Sequence, residues 1–142
     1  MYKNVLLAID LTDVDTQQKA VKSAVACCQA FGAKLGVITV VPDFGMSMVA
    51  SYFPKNYQEN ALAETRKALQ EYVARNIPQD IPVQLIVGHG TIYREIIHGA
   101  GQSGYDLIVM ASHRPDLEDY LLGPNAARVV RHSKASVLVV RD

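Results

Sequence analysis

The residues whose types and spacing best suit chemistry lie late in the chain. Ala111-Ser112-His113-Arg114-Pro115-Asp116 leads through Tyr120-Leu121-Leu122 to Gly123-Pro124-Asn125-Ala126-Ala127. A polar loop leaves an apolar run and closes at the start of a helix, where free backbone N–H groups make a ready anion site. Arg114 suits phosphate through its charge and forked donors. Gly123 lets a ligand approach the backbone closely. Pro124 just inside a helix costs no intrahelical bond, because the N–H groups there have no partner in any case. The N–H groups of Asn125 and Ala126 stay available to an anion. The plainer reading is that Pro124 and Asn125 merely start a helix, and composition alone leaves both open. Asp10, which closes the first apolar run, has the same two readings. It either caps the following turn or meets the sugar or base of a ligand.

Other chemistries find less support. There is no Walker A sequence, and Gly88-His89-Gly90 lacks the third glycine of a dinucleotide fingerprint. Gly99, Gly101 and Gly104 read as a helix stop and turn. His89, His98, His113 and His132 are scattered without i,i+4 pairing, so no protein metal site is expected. Ser112 beside His113 is not a triad, since neighbours on an extended chain point to opposite faces. Cys27 and Cys28 are adjacent in a helical pattern and read as core filling.

These residues need elements to hold them. Val5 to Ile9, Leu35 to Val41, Val83 to Val87, Leu107 to Met110 and Val137 to Val140 are apolar runs. The first three are closed in turn by Asp10, Pro42 and Gly88, and all five suit strands buried on both faces. Helical periods lie between them. Ala20, Ala24, Cys27, Cys28 and Phe31 recur at helical spacing before Gly32, with Asp15 and Gln18 as a capping pair. A second helix carries Leu62, Leu69, Tyr72, Val73 and Ile77 and ends before Pro78. A third starts near Thr91 and buries Ile92, Ile96, Ile97 and Ala100. A fourth follows Gly123 and buries Ala126, Val129 and Val130. Such alternation predicts an α/β fold with a parallel sheet and right-handed crossovers. The connection from Pro42 to Asn56 is long for its place and reads as a surface flap or as a lid over a ligand.

Composition bounds the partners. The 142 residues carry 14 basic and 14 acidic side chains, a balance that points away from nucleic acid and from anionic membranes. The early apolar run is too short for a signal core or a membrane span. With the unpaired cysteines this favours a reducing, cytoplasmic location.

Taken together, the chain resembles the universal stress protein family along its full length, as a single domain over residues 1–142. Met1-Tyr2-Lys3-Asn4-Val5-Leu6-Leu7-Ala8-Ile9-Asp10 resembles the opening strand of that family and its terminal Asp. Asp106-Leu107-Ile108-Val109-Met110 is similar to its fourth strand. Val129-Val130-Arg131-His132-Ser133 and Ser136-Val137-Leu138-Val139-Val140-Arg141 resemble its closing helix and strand. Ala111 to Asp116, with Tyr120 to Gly123 and Asn125 to Ala127, is similar to the F-type bacterial members.

The resemblance implies an open five-stranded parallel sheet of order 3-2-1-4-5 with two helices on each face, Rossmann-like and of the adenine nucleotide alpha hydrolase type. It implies a homodimer through the last strand, Val137 to Arg141. It also implies ATP, with magnesium as counter-ion, in a regulatory stress-response role. Some members bind ATP through Gly-x2-Gly-x9-Gly-Ser/Thr and others lack that motif, so a dimeric scaffold without nucleotide is the alternative. Ala111 and Arg114 stand where the motif has glycine, eight residues separate Arg114 from Gly123, and Pro124 replaces the Ser or Thr. The first three departures are shared with F-type members. Pro124 removes a hydroxyl and an N–H from the cradle, each worth roughly 1.5–3 kcal/mol toward a charged group. Carried over by position, adenine lies near Ala8, Asp10 and the backbone of Val40, and ribose near Asp10 and Met110. Phosphates lie over Ser112, His113, Arg114, Gly123, Pro124 and Asn125. No residue set for water activation is present, so binding is expected to be regulatory rather than catalytic, with slow hydrolysis left open.

Overall fold

The central strand is apolar on both faces because a layer of helices covers each. In the computed structural model, which describes residues 1–42, 57–112 and 123–141, β1 (Asn4–Ala8) lies between β2 (Lys34–Pro42) and β4 (Leu107–Ser112). β3 (Val83–Gly90) pairs outside β2 and β5 (Ser136–Arg141) outside β4. All pairings are parallel, and the order is β3-β2-β1-β4-β5. The expected sheet is therefore present. On one face α1 (Gln18–Phe31) and α2 (Tyr57–Asn76) cover Val5, Leu7, Val37 and Val109. On the other, α3 (Ile92–Gln102) and α4 (Pro124–His132) cover Leu6, Ile38 and Ile108. The two clusters follow the period-two alternation of β side chains.

The strands run further than their apolar runs. β3 continues past Gly88, pairing His89 with Val41 and Gly90 with Pro42. Gly88 serves packing, because a Cβ there would come to 3.0 Å from the Cβ of Glu95 on α3, whereas Gly90 takes φ 132°, where side chains rarely fit. Pro42 can end β2 because β1 stops opposite Ile38, so the missing N–H leaves no ladder bond open on that side. Burial on both faces holds for β1 and β4 but not for the edge: β5 alternates, and Leu138 is 38% exposed.

Helix boundaries follow the sequence, with corrections to capping and to burial. The Asp15–Gln18 capping pair does not form. A 3-10 turn, Val14–Gln17, precedes α1, whose N-cap is Gln17 without a side-chain cap bond. Val130 is 46% exposed, on the outer side of α4. Phe31 is also exposed, and its ring packs edge-on against Tyr2 at 5.7 Å. Gly32 closes α1 in the left-handed conformation, φ 64°, donating its N–H to the Cys28 carbonyl. Thr91 sits at the N-cap of α3 but makes no side-chain cap bond. Cys28 is buried and Cys27 half-buried, both as free thiols. Burial, and then the neighbouring Cys27, push the Cys28 thiol up to about 11, so it stays protonated and inert.

Two contacts fix the sheet at the end opposite the strand tips. Asp106, just before β4, accepts the backbone N–H groups of Lys3 and Asn4 at 3.0 and 2.9 Å and so ties β4 to the start of β1. Tyr105 reaches beneath β2, where its hydroxyl donates to Gln84 at 2.6 Å. Gly36 makes that possible, because a Cβ there would lie 2.2 Å from the Tyr105 hydroxyl.

Candidate functional site

β1 is the strand at which the chain order reverses, with β2 on one side and β4 on the other. β1 leads to α1 on one face of the sheet and β4 to α4 on the other, and the crevice between them is the usual ligand position in open α/β sheets. A cavity of about 730 Å³ occupies it. That lies within the roughly 300–1,000 Å³ range of small-molecule sites. Ala8, Val40 and Met110 form part of its apolar floor, and the start of α4 forms one wall. Ala61, Glu64, Thr65 and Ala68 of α2 form another.

The β1 loop is held by a side chain of low sequence prominence. Gln17 is 6% exposed. Its Oε1 accepts the Asp10 N–H at 2.7 Å, and its Nε2 donates to the Asp10 carbonyl at 2.7 Å and to the Asp13 carbonyl. The amide thus clamps the turn from both ends. Asp10 Oδ1 accepts the Thr12 N–H at 2.9 Å and the Thr12 hydroxyl at 2.6 Å. The turn-capping reading of Asp10 is therefore correct. Both bonds fall on one oxygen, and Oδ2 remains for a ligand.

The second polar cluster joins β4 to α4. The Gly123 N–H donates to Ser112 Oγ at 3.1 Å in a buried bond. Gly123 is the N-cap of α4 in an extended conformation, and Pro124 is in the first turn. The first intrahelical bond runs from the Ala127 N–H to the Gly123 carbonyl at 2.9 Å. The helix therefore leaves two N–H groups of its first turn outside its own bonding, those of Asn125 and Ala126. Both residues line the cavity.

Of the residues picked out in the sequence, Ala8, Asp10, Val40, Met110, Ser112, Gly123, Pro124 and Asn125 line this one cavity. His113 and Arg114 lie outside the described residues, as does the 43–56 stretch read as a flap or lid. Sequence reasoning missed Gln17, Thr39 and the α2 wall. Thr39 carried a signal: it is a hydroxyl inside an apolar run, 4% exposed and on the cavity wall. Gln17 carried none, because its bonds depend on how the turn folds back.

An apolar floor, a carboxylate oxygen at the β1 tip that can accept a hydrogen bond, and unspent N–H groups at a helix start that can donate to an anion meet in this cavity. Comparison with known proteins decides the family. The model described as the Universal stress protein family matches residues 1–141. The chain belongs to the universal stress protein family.

Universal stress protein G of Escherichia coli O157:H7 is 27% identical over 143 residues, covering 99% of this chain and 100% of that protein. The solved structure of MJ0577, a protein of Methanocaldococcus jannaschii, superposes with a TM-score of 0.76 at 27% identity, covering 100% of this chain and 97% of that one. A universal stress protein solved in complex with cAMP shares the fold, with a TM-score of 0.64 at 24% identity and coverage of 99% and 97%. The F-type likeness rests on Ala111 to Ala127, whereas this full-length relative carries the G designation. Among the described residues, no group of three or more His, Cys, Asp or Glu is placed to hold a metal ion, and no helix is long and apolar enough to cross a membrane.

Proposed function

We propose that this universal stress protein binds an adenine nucleotide in the cavity at the β1, β2 and β4 tips, in a regulatory, stress-response role. ATP is the ligand its family resemblance nominates, with magnesium as counter-ion on the phosphates rather than in a protein metal site. One observation carries the reading. The unspent Asn125 and Ala126 N–H groups and the Asp10 carboxylate border the same cavity of about 730 Å³. Adenine would lie over Ala8 and the Val40 backbone, ribose against Asp10 and Met110, and phosphate at Ser112, Gly123, Pro124 and Asn125. His113 and Arg114 follow Ser112 in the chain and would add positive charge. That a protein of this fold is solved with cAMP, itself an adenine nucleotide, supports the reading.

The homodimer would form through β5. In its support, β5 is an edge strand with one open ladder side and an exposed Leu138. A cytoplasmic location accords with the two free thiols. The test is to denature the purified protein, analyse for released nucleotide, and titrate it with Mg-ATP in a calorimeter. Released adenine nucleotide or saturable heat is expected. Neither, at millimolar ATP, sinks the reading.

A second reading has its own observation. Pro124 gives no N–H and no hydroxyl, and the Gly123 N–H is spent on Ser112. A dimeric scaffold that has lost nucleotide fits both facts. Pro124→Ser discriminates: if only that variant binds ATP, the scaffold reading stands.

A further inference from the structure

We infer that Thr39 reads the base of the ligand, its hydroxyl accepting a hydrogen from the exocyclic amino group of adenine. This rests on the adenine-nucleotide reading above and adds a specificity-determining residue to that site.

Thr39 is a polar side chain inside an otherwise apolar strand. It is 4% exposed, and its hydroxyl has no hydrogen-bond partner among the described residues. Alternation along β2 turns it away from the side of Ile38 and Val40 and toward α1 and α2, the side of Val37. Its neighbours in the sheet offer it nothing. Val87 stands opposite on β3, and on the other side Ile9 follows Ala8, the β1 partner of Ile38. What remains open to the hydroxyl is the cavity, which Thr39 lines. A hydroxyl buried among apolar groups costs free energy until something bonds it.

The other threonine hydroxyls of the cavity have given their hydrogens to the protein. Thr12 donates to Asp10 Oδ1 at 2.6 Å, Thr16 to the Asp13 carbonyl at 3.1 Å and Thr65 to the Ala61 carbonyl at 2.7 Å. The Gln17 amide hydrogens are spent on the Asp10 and Asp13 carbonyls. Toward the cavity these groups can only accept. The carboxylates of Asp10, Asp13 and Glu64, on the same lining, accept as well. The end of a ligand that suits this wall therefore brings hydrogens. The cavity passes around the β1 tip, with Asn125 and Ala126 on the α4 side and Thr39, Ala61 and Thr65 on the α2 side. A nucleotide with its phosphate at the α4 start points the far edge of its base toward α2. In adenine that edge carries an amino group with two hydrogens to donate.

The test is calorimetry on the full chain with Mg-ATP and with purine riboside triphosphate, which has hydrogen in place of the amino group. Each is titrated into the natural chain, Thr39→Val and Thr39→Ser. ATP is expected to bind the natural chain and the Ser variant about fivefold more tightly than the Val variant, the loss of one neutral hydrogen bond. Purine riboside triphosphate should bind the natural chain and the Val variant alike. Unchanged ATP affinity in Thr39→Val overturns the inference. So does equal binding of the two nucleotides by the natural chain, whatever the variants do. A Val variant that weakens both nucleotides equally overturns the amino-group assignment. Thermal denaturation without nucleotide separates a structural role. The Val variant should keep the natural Tm or exceed it, and a fall shows that the hydroxyl serves the fold and overturns the inference. No heat from ATP in the natural chain overturns the adenine reading itself and this inference with it.

Discussion

Removing the Gln17 amide should destabilise the β1 loop far more than a change in a surface turn normally does. The amide makes three hydrogen bonds, one accepted from the Asp10 N–H and two donated to the Asp10 and Asp13 carbonyls. Each is worth about 1 kcal/mol net. Gln17→Leu keeps the side-chain bulk and loses all three. Asp10 and Asp13 are exposed, so water recovers part of the loss at their carbonyls. The expected cost is about 2–3 kcal/mol, or a fall of roughly 10 °C in Tm for a domain of this size. Equilibrium denaturation in urea, read by circular dichroism, measures it. Gln17→Glu is the control that isolates the donor. It keeps an oxygen for the Asp10 N–H but turns a second oxygen toward two carbonyls. The introduced carboxyl is then held above its ordinary value, because its charged form faces acceptors and its neutral form can donate. A group whose folded-state value is raised binds protons more readily in the folded protein, so stability rises as pH falls. The Glu variant should therefore recover toward the natural chain between neutral and mildly acid pH, while the Leu variant should not. A Leu variant within about 0.5 kcal/mol of the natural chain, or a Glu variant with a flat pH profile, would refute the clamp.

Gly36→Ala should cost about 1–3 kcal/mol as an overpacked site, because the new Cβ falls 2.5 Å from Cζ of the 8% exposed Tyr105. Pairing it with Tyr105→Ala in a double-mutant cycle should return part of that cost, and strict additivity would show that the two do not collide. Asp106 should make the fold acid-sensitive. Its partial burial alone would raise its pKa, but the Lys3 and Asn4 N–H groups outweigh that and leave it lowered. The carboxylate's contribution is fully present above the ordinary Asp value and lost as pH falls through the depressed one. The stability gap between the natural chain and Asp106→Asn, followed by urea titration, should close in strong acid. A constant gap would count against it.

The sheet was legible because its signal is redundant. Val5 to Ile9 and Leu107 to Met110 are apolar at every position, as strands covered on both faces must be. Strand ends were less legible, because the ladder depends on backbone and the run depends on side chains. Gly88-His89-Gly90 breaks the apolar pattern, yet its backbone still pairs with Val40, Val41 and Pro42. Edges failed for a related reason. Leu138 and Val130 look like core in sequence, but one lies on a strand with a single neighbour and the other on the outer side of a helix. Asp10, Gly123, Pro124 and Asn125 could be named from types and spacing, whereas Ala8, Val40, Met110 and the phosphate role of Ser112 came only from the family resemblance. Gln17 could not, since its role comes from a turn bringing residues seven apart into contact. Nor could the bond between Ser112 and Gly123, whose positions lie eleven residues apart.

That last bond changes what Pro124 means. In sequence, Pro124 is a loss, the missing hydroxyl of a phosphate motif. In the fold, the hydroxyl that serves the α4 start comes from Ser112 on β4 and meets Gly123, one residue before the proline. Proline suits the next position because its fixed φ fits a first helical turn and its missing N–H would have had no partner inside the helix. Ser112 and Pro124 together thus settle the backbone at the N-cap and first helical position without a ligand. What they leave unspent lies one step further along α4, at Asn125 and Ala126, and on the hydrogen of Ser112. A helix start completed in this way needs no anion to hold its shape, so a phosphate that binds there meets donors already in position.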